Sequence, residues 1–244
     1  MFEFARLKAE IGKTQIVGAG IVALLVVLTV VVNAFPTHKM DIPNDNNNYN
    51  FNHTFRKSTF PFLICCILFW GINIVFIVYF AKKRNSTKYL INVLLLFAFS
   101  VALNRFATDA FKKFAGRPRP NQFSLESNGK AGQLYLSFPS GHSSMVFNAS
   151  AFLFLLLCGE FKIFGGEGSL MGLFACGLPL LFAGVVAVSR TRDFYHHYED
   201  IVAGLLIGCI ISIVCYFSRF ESLSGQYCGE IEKEEDAEGD NYIV

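Results

Sequence analysis

Lys112 to Pro120, the tetrapeptide Pro139-Ser140-Gly141-His142, and Ser189-Arg190 running on to His196 and Asp200 carry the residue types that metal-free phosphoryl transfer requires. Cleaving a phosphate ester takes cations and backbone donors around the phosphoryl oxygens, a nucleophile in line and an acid for the departing oxygen. The three stretches supply these in separate pieces.

In the first, Lys112 and Arg119 flank a Gly116-Arg117-Pro118 turn and Pro120 stiffens its exit, so two cations can be held in a fixed arrangement. Taken alone, the cluster reads equally well as a juxtamembrane patch for anionic lipid headgroups. In the second, Ser140 and Gly141 lead into an apolar helical run. The exposed N–H groups of a helix start form an anion site, and His142 beside them titrates near neutrality. Taken alone, this is also an N-cap turn with an incidental histidine.

In the third, Arg190 precedes His196, and Asp200 follows it at i+4. A helix beginning near His196 would put the imidazole and the carboxylate on one face. The carboxylate would take the proton of one ring nitrogen and leave the other free to attack phosphorus. The alternative is an interfacial ion pair at a helix end. His197, Arg192, Asp193 and Glu199 are expected to shape the entrance without a catalytic step, and Arg105 and Asp109 to form a structural i,i+4 ion pair.

The elements that must position these stretches are membrane helices. The chain has 244 residues, 53% of them hydrophobic and 16% charged, which is too apolar for an ordinary soluble domain. Apolar runs occur at Ile16–Phe35, Phe60–Ala81, Tyr89–Phe106, Ser143–Gly159, Leu170–Val188 and Ile201–Phe217, each long enough to cross a hydrocarbon core about 30 Å thick. The expected fold is all-α, a polytopic membrane bundle of about six transmembrane helices over residues 16–217. A cytoplasmic segment, 1–15, precedes it, and an acidic disordered tail, 218–244, follows. Its Phe-rich spans are read as lipid-facing and packing surface. The first run is too long for the core of a cleavable signal, about 7 to 15 residues.

Lys82, Lys83, Arg84 and Lys88 crowd the second connection, which places it and both termini in the cytoplasm and the three polar stretches on the extracytoplasmic or luminal side. The sequon at Asn52 agrees with this, but an equal one at Asn85 does not discriminate. A net charge of +2 gives nucleic-acid binding no global electrostatic footprint. Six of the cysteines lie in apolar runs and are expected to pack as small hydrophobes. Cys228 lies beyond the last run, where acylation is conceivable.

The pattern Lys112-x6-Arg119-Pro120, Pro139-Ser140-Gly141-His142, Ser189-Arg190-x5-His196-x3-Asp200 resembles the type 2 phosphatidic acid phosphatase superfamily. Thr108-Asp109, Ser137-Phe138 and Arg192-Asp193-Phe194-Tyr195-His196-His197 are most similar to its lipid phosphate phosphatase and diacylglycerol pyrophosphate phosphatase branch. The resemblance implies hydrolysis of a lipid phosphate with no metal or other cofactor. His196 would be the nucleophile that forms a phosphohistidine, His142 the general acid and Asp200 the residue orienting His196. Lys112, Arg119, Ser140, Gly141 and Arg190 would bind the phosphoryl group.

Pro120-Asn121-Gln122-Phe123 departs from the acidic residue that often follows the proline in relatives, so headgroup selectivity does not transfer. Soluble vanadium haloperoxidases and glucose-6-phosphatase share the motifs but differ in span number. A catalytically silent scaffold of the same fold would be expected to have lost a histidine, and a transporter to show paired polar interruptions.

Overall fold

A computed structural model of the chain describes residues 12–41, 50–165, 168–224 and 229–231. The start of the N-terminal segment, most of the Asn-rich stretch, Cys228 and the acidic end lie outside the described residues. The helices are α1 (Lys13–Ala34), α2 (Phe62–Lys83), α3 (Thr87–Ala115), the short α4 (Gln122–Ser127), α5 (Gly141–Glu160), α6 (Leu170–Arg192) and α7 (Tyr198–Phe217). Ala131–Gln133 forms a 3₁₀ turn. Among the described residues there is no strand, and Phe220 and Ile231 pair as one isolated bridge.

Six of these helices are long and apolar enough to cross a membrane, as the hydropathy of the sequence predicts, and the chain is a multi-pass membrane protein. They differ in how much the protein covers them. Within its membrane-length window α5 is 83% buried and α1 11%, so α5 is the central helix and α1 faces outward. Asn148, which interrupts the apolar run of α5, sits in the interior. Its amide donates to Ser100 Oγ of α3 at 2.9 Å and Ser212 Oγ of α7 at 3.0 Å, and Ser212 donates back to its carbonyl. Buried polar groups in a bilayer must find such partners, and these tie three helices together.

The apolar run expected to end at Phe106 continues as helix to Ala115. Arg105 pairs with Asp109 at 2.8 Å, and Asn33 of α1 donates to the same carboxylate at 2.7 Å. Lys112 and Lys113 sit in the last turn, where the helix dipole favours cations. Gly116 then ends α3 in the left-handed region (φ 56°), and a β-carbon there would lie 1.9 Å from the His38 carbonyl oxygen. Only glycine fits this turn, which swings Arg117 to Arg119 back over the end of the bundle.

The starts of α5 and α7 meet at that end. β-Carbons at Gly204 and Gly208 would lie 2.6 Å from the Ser140 oxygen and 2.4 Å from the Ser144 oxygen, so the two backbones touch. Ser143 Oγ donates to the Ile201 carbonyl at 2.7 Å, and the Ser140 amide to the Asp200 carbonyl at 2.9 Å. This contact brings the second and third polar stretches together. α7 begins at Tyr198, with His197 as its N-cap, so His196 lies before the helix and not in its first turn.

Candidate active site

At this end lies a cavity of about 370 Å³. Lys112, Arg119, Gly141, His142, Arg190 and His196 all line it, so the three polar stretches contribute to one space. Ser140 is fully buried behind it as the N-cap of α5, its Oγ accepting from the Ser143 amide at 3.4 Å. Gly141 and His142 therefore carry the first amides of a helix that points its positive end at the cavity. Lys112 reaches the same place from α3, donating to the Leu136 carbonyl at 3.0 Å and to the Pro139 carbonyl.

His196 is 4% exposed. Its Nδ1 lies 2.7 Å from the Ser137 carbonyl, which can only accept, so Nδ1 carries the proton and Nε2 keeps its lone pair. Asp200 Oδ2 stands 3.8 Å from Nδ1, beyond hydrogen-bond length. The i,i+4 spacing thus brings the carboxylate to ion-pair distance of the ring, while the shorter contact of Nδ1 is to the main-chain carbonyl of Ser137.

The carboxylate is also the hub of the surrounding frame. It accepts from Arg117 Nη1 at 2.8 Å, Ser137 Oγ at 2.6 Å and the His197 amide at 2.9 Å. Asp200 fixes the segment whose carbonyl holds His196 and acts on the ring through its charge. Burial, reinforced by the Arg119 and Lys112 cations and opposed in part by Asp200, holds the His196 pKa well below its ordinary value. The ring is neutral at neutral pH.

His142 Nε2 lies 3.1 Å from the Phe60 carbonyl, again an acceptor, and the ring meets Phe62 edge-on at 5.0 Å. Nδ1 is the nitrogen left for the cavity. Arg119 donates to the Gln133 carbonyl at 2.9 Å and lies over the Tyr195 ring. Burial lowers its pKa to about 10, which leaves it charged at neutral pH. Arg190, only 1% exposed, donates to Asp193 at 2.6 Å and Ser58 Oγ at 2.7 Å.

Several of these partners carried no distinct signal in the sequence. Asp193, expected at the entrance, is 3% exposed and paired with Arg190, because the C-terminal turn of α6 folds it inward. Arg117 was legible only as part of a turn, and Ser137 only as a neighbour of the second motif. Ser58 to Phe60 belong to no motif. They are found through contacts with residues far along the chain.

Residues 93–223 match the PAP2 superfamily. The chain is 34% identical over 219 residues to a PA-phosphatase related-family protein of Dictyostelium discoideum, covering 84% of this chain and 79% of that one. It is 33% identical over 182 residues to lipid phosphate phosphatase 1 of Arabidopsis thaliana, covering 67% of this chain and 56% of that protein. A probable diacylglycerol pyrophosphate phosphatase 1 of Schizosaccharomyces pombe is 30% identical over 165 residues, 59% of each chain. The alignment thus spans less than two thirds of the latter two relatives. No solved structure matches the chain. A family match that takes in more than half of the residues, and all three polar stretches, means that this chain belongs to the PAP2 superfamily.

Proposed function

We propose that this protein is a lipid phosphate phosphatase that works through a phosphohistidine, without a metal. One observation carries the reading: His142 and His196 line the same cation-rich cavity, a space open to a phosphoryl group. Relatives named as lipid phosphate phosphatase and diacylglycerol pyrophosphate phosphatase support the substrate class. An apolar cavity of about 670 Å³ that shares Phe62, Arg105 and Gly141 with the site supports a substrate whose hydrocarbon stays in the bilayer.

In this mechanism Lys112, Arg119, Arg190 and the amides at the start of α5 hold the phosphoryl oxygens. His196 Nε2 donates its lone pair to phosphorus as the ester P–O bond breaks. His142, anchored on Phe60 through Nε2 and protonated on both nitrogens once the dianion enters, gives the Nδ1 proton to the leaving oxygen. Neutral His142 then takes a proton from water, whose oxygen attacks phosphorus; the N–P bond breaks and inorganic phosphate leaves. Asp200 keeps His196 in place through Ser137. The working unit is residues 16–217, with the cavity on the extracytoplasmic or luminal side and the flanking segments in the cytoplasm.

The test is hydrolysis of phosphatidate, diacylglycerol pyrophosphate and lysophosphatidate by the purified protein in chelator. Full activity is expected in chelator, and His196→Ala is expected to lower it by about 10³-fold or more. A strict metal requirement, or an active His196→Ala enzyme, would refute the mechanism. For sidedness, the exposed Glu126 in the third connection serves as a reporter. Glu126→Cys is expected to react with an impermeant maleimide from outside, and labelling restricted to the cytosolic face would reverse the orientation.

A further inference from the structure

The segment Ser58–Phe60, in the first connection, touches both halves of the cavity. Arg190 Nη1 donates to Ser58 Oγ at 2.7 Å, Ser58 Oγ donates to the Phe60 carbonyl at 2.8 Å, and the same carbonyl meets His142 Nε2 at 3.1 Å. A continuous hydrogen-bonded chain thus runs from the buried guanidinium to the imidazole. Its fastening is Asp193, which accepts from the Thr59 amide and the Thr59 hydroxyl, each at 2.7 Å, while also holding Arg190 Nη2 at 2.6 Å. The side chain of Asp193 is 5% exposed. A carboxylate so placed fixes both a cation and a loop, and losing it leaves the cation buried and uncompensated.

We propose that the first connection is a fourth component of the phosphate site. Asp193 is its positioning residue, and Ser58 is a binding residue that turns its hydroxyl hydrogen from the Phe60 carbonyl to a phosphoryl oxygen. Ser58 lines the cavity with Arg190, and its Oγ is held 2.7 Å from the guanidinium, so a phosphoryl oxygen bound by Arg190 would lie near it. Asp193 aims the Arg190 fork at that position and clamps Thr59 so that Ser58 and Phe60 keep their register on both sides of the phosphate. This rests on the proposed function for the identity of the ligand, but not on turnover.

The experiment uses the full chain in detergent with orthovanadate, a phosphate mimic, as probe, read both by inhibition and by the shift in Tm on binding. Asp193→Asn keeps shape and hydrogen bonding but removes the charge. It is expected to weaken vanadate binding and raise KM by about 10- to 100-fold, the loss expected for a charge-assisted hydrogen bond, with a smaller change in kcat. Thr59→Val and Ser58→Ala, which leave the buried ion pair intact, are expected to cost about 3- to 10-fold in the same two quantities. In an Arg190→Lys background, where the fork is gone, Asp193→Asn should add nothing further.

Wild-type vanadate affinity and KM in the Thr59 and Ser58 variants, or a fully multiplicative double variant, would overturn the proposal. A fall in Tm alone would mark Asp193 as merely structural. If vanadate binds and responds to Asp193 but no lipid phosphate is cleaved, the proposed function fails and this inference stands. If the wild-type chain binds no vanadate and cleaves nothing, both fall.

Discussion

Both ends of the helix bundle hold charge, and they treat it differently. At the end away from the cavity, Arg84 meets Glu160 at 2.9 Å, Tyr89 donates to the same carboxylate at 2.7 Å, and the guanidinium also caps the Gly229 carbonyl at 3.1 Å. Charge and hydrogen bonds close on themselves there. Around the cavity, Arg105 is paired with Asp109 at 2.8 Å and Arg190 with Asp193 at 2.6 Å, and Lys112, Lys113 and Arg119 add three further cations. Lys112 and Arg119 are hydrogen-bonded to backbone carbonyls, which orient a cation without cancelling it. The charges at the far end are closed within the protein, whereas Lys112 and Arg119 are oriented by carbonyls, an arrangement that suits the dianion of the proposed function.

The sharpest way to break this contrast is a pair of substitutions, one at each end. Arg119→Ala should lower kcat/KM for a lipid phosphate by about 10²-fold, as for loss of one donor to transition-state charge, while Tm changes little. Glu160→Gln should leave kcat/KM of the folded enzyme unchanged and destabilise it by about 1–3 kcal/mol, because a mostly buried acceptor loses its charge while Arg84 keeps partial access to solvent. Steady-state kinetics and thermal unfolding in detergent measure the two effects. If Glu160→Gln reduces kcat/KM as much as Arg119→Ala does, the division between the two ends is wrong.

The same division explains what the sequence made legible. Charged and small polar residues in an apolar chain cannot face lipid, so Lys112, Arg119, Ser140, His142, Arg190 and His196 stood out against their surroundings, and the cavity contains or abuts all of them. Hydropathy also located the six long helices, but it ended the third run at Phe106. The helix runs on to Ala115 because Arg105 and Asp109 neutralise each other and the last turn faces the cavity.

At His196 and Asp200 the i,i+4 spacing brings the pair to 3.8 Å although α7 starts only at Tyr198, while the shorter contact of the imidazole is to the Ser137 carbonyl, which no spacing marked. Nothing local marked Ser58 to Phe60. Their partners are a carboxylate and two cavity side chains from α5 and α6, and a contact that distant is written in the packing and not in any nearby pattern.

A smaller effect sharpens the comparison through pH. His196 is buried beside cations, so its pKa in the folded protein lies below the ordinary value of about 6.5, while in the unfolded chain it returns to that value. Below about pH 6.5 the unfolded state therefore binds a proton that the folded state refuses, and stability falls as pH drops through this window by at most about 1.4 kcal/mol per pH unit. Above it both states are neutral and the group contributes no slope. His53, whose pKa is also lowered, first by burial and then by His197 and Arg56, tilts the curve in the same direction. The wild-type profile alone thus does not isolate His196, and the difference between wild type and His196→Gln does. Tm measured from about pH 7.5 down to pH 5 should fall less steeply in the variant. Parallel curves would mean that the imidazole takes up its proton inside the fold, so that its burial beside Arg119 and Lys112 does not keep it neutral.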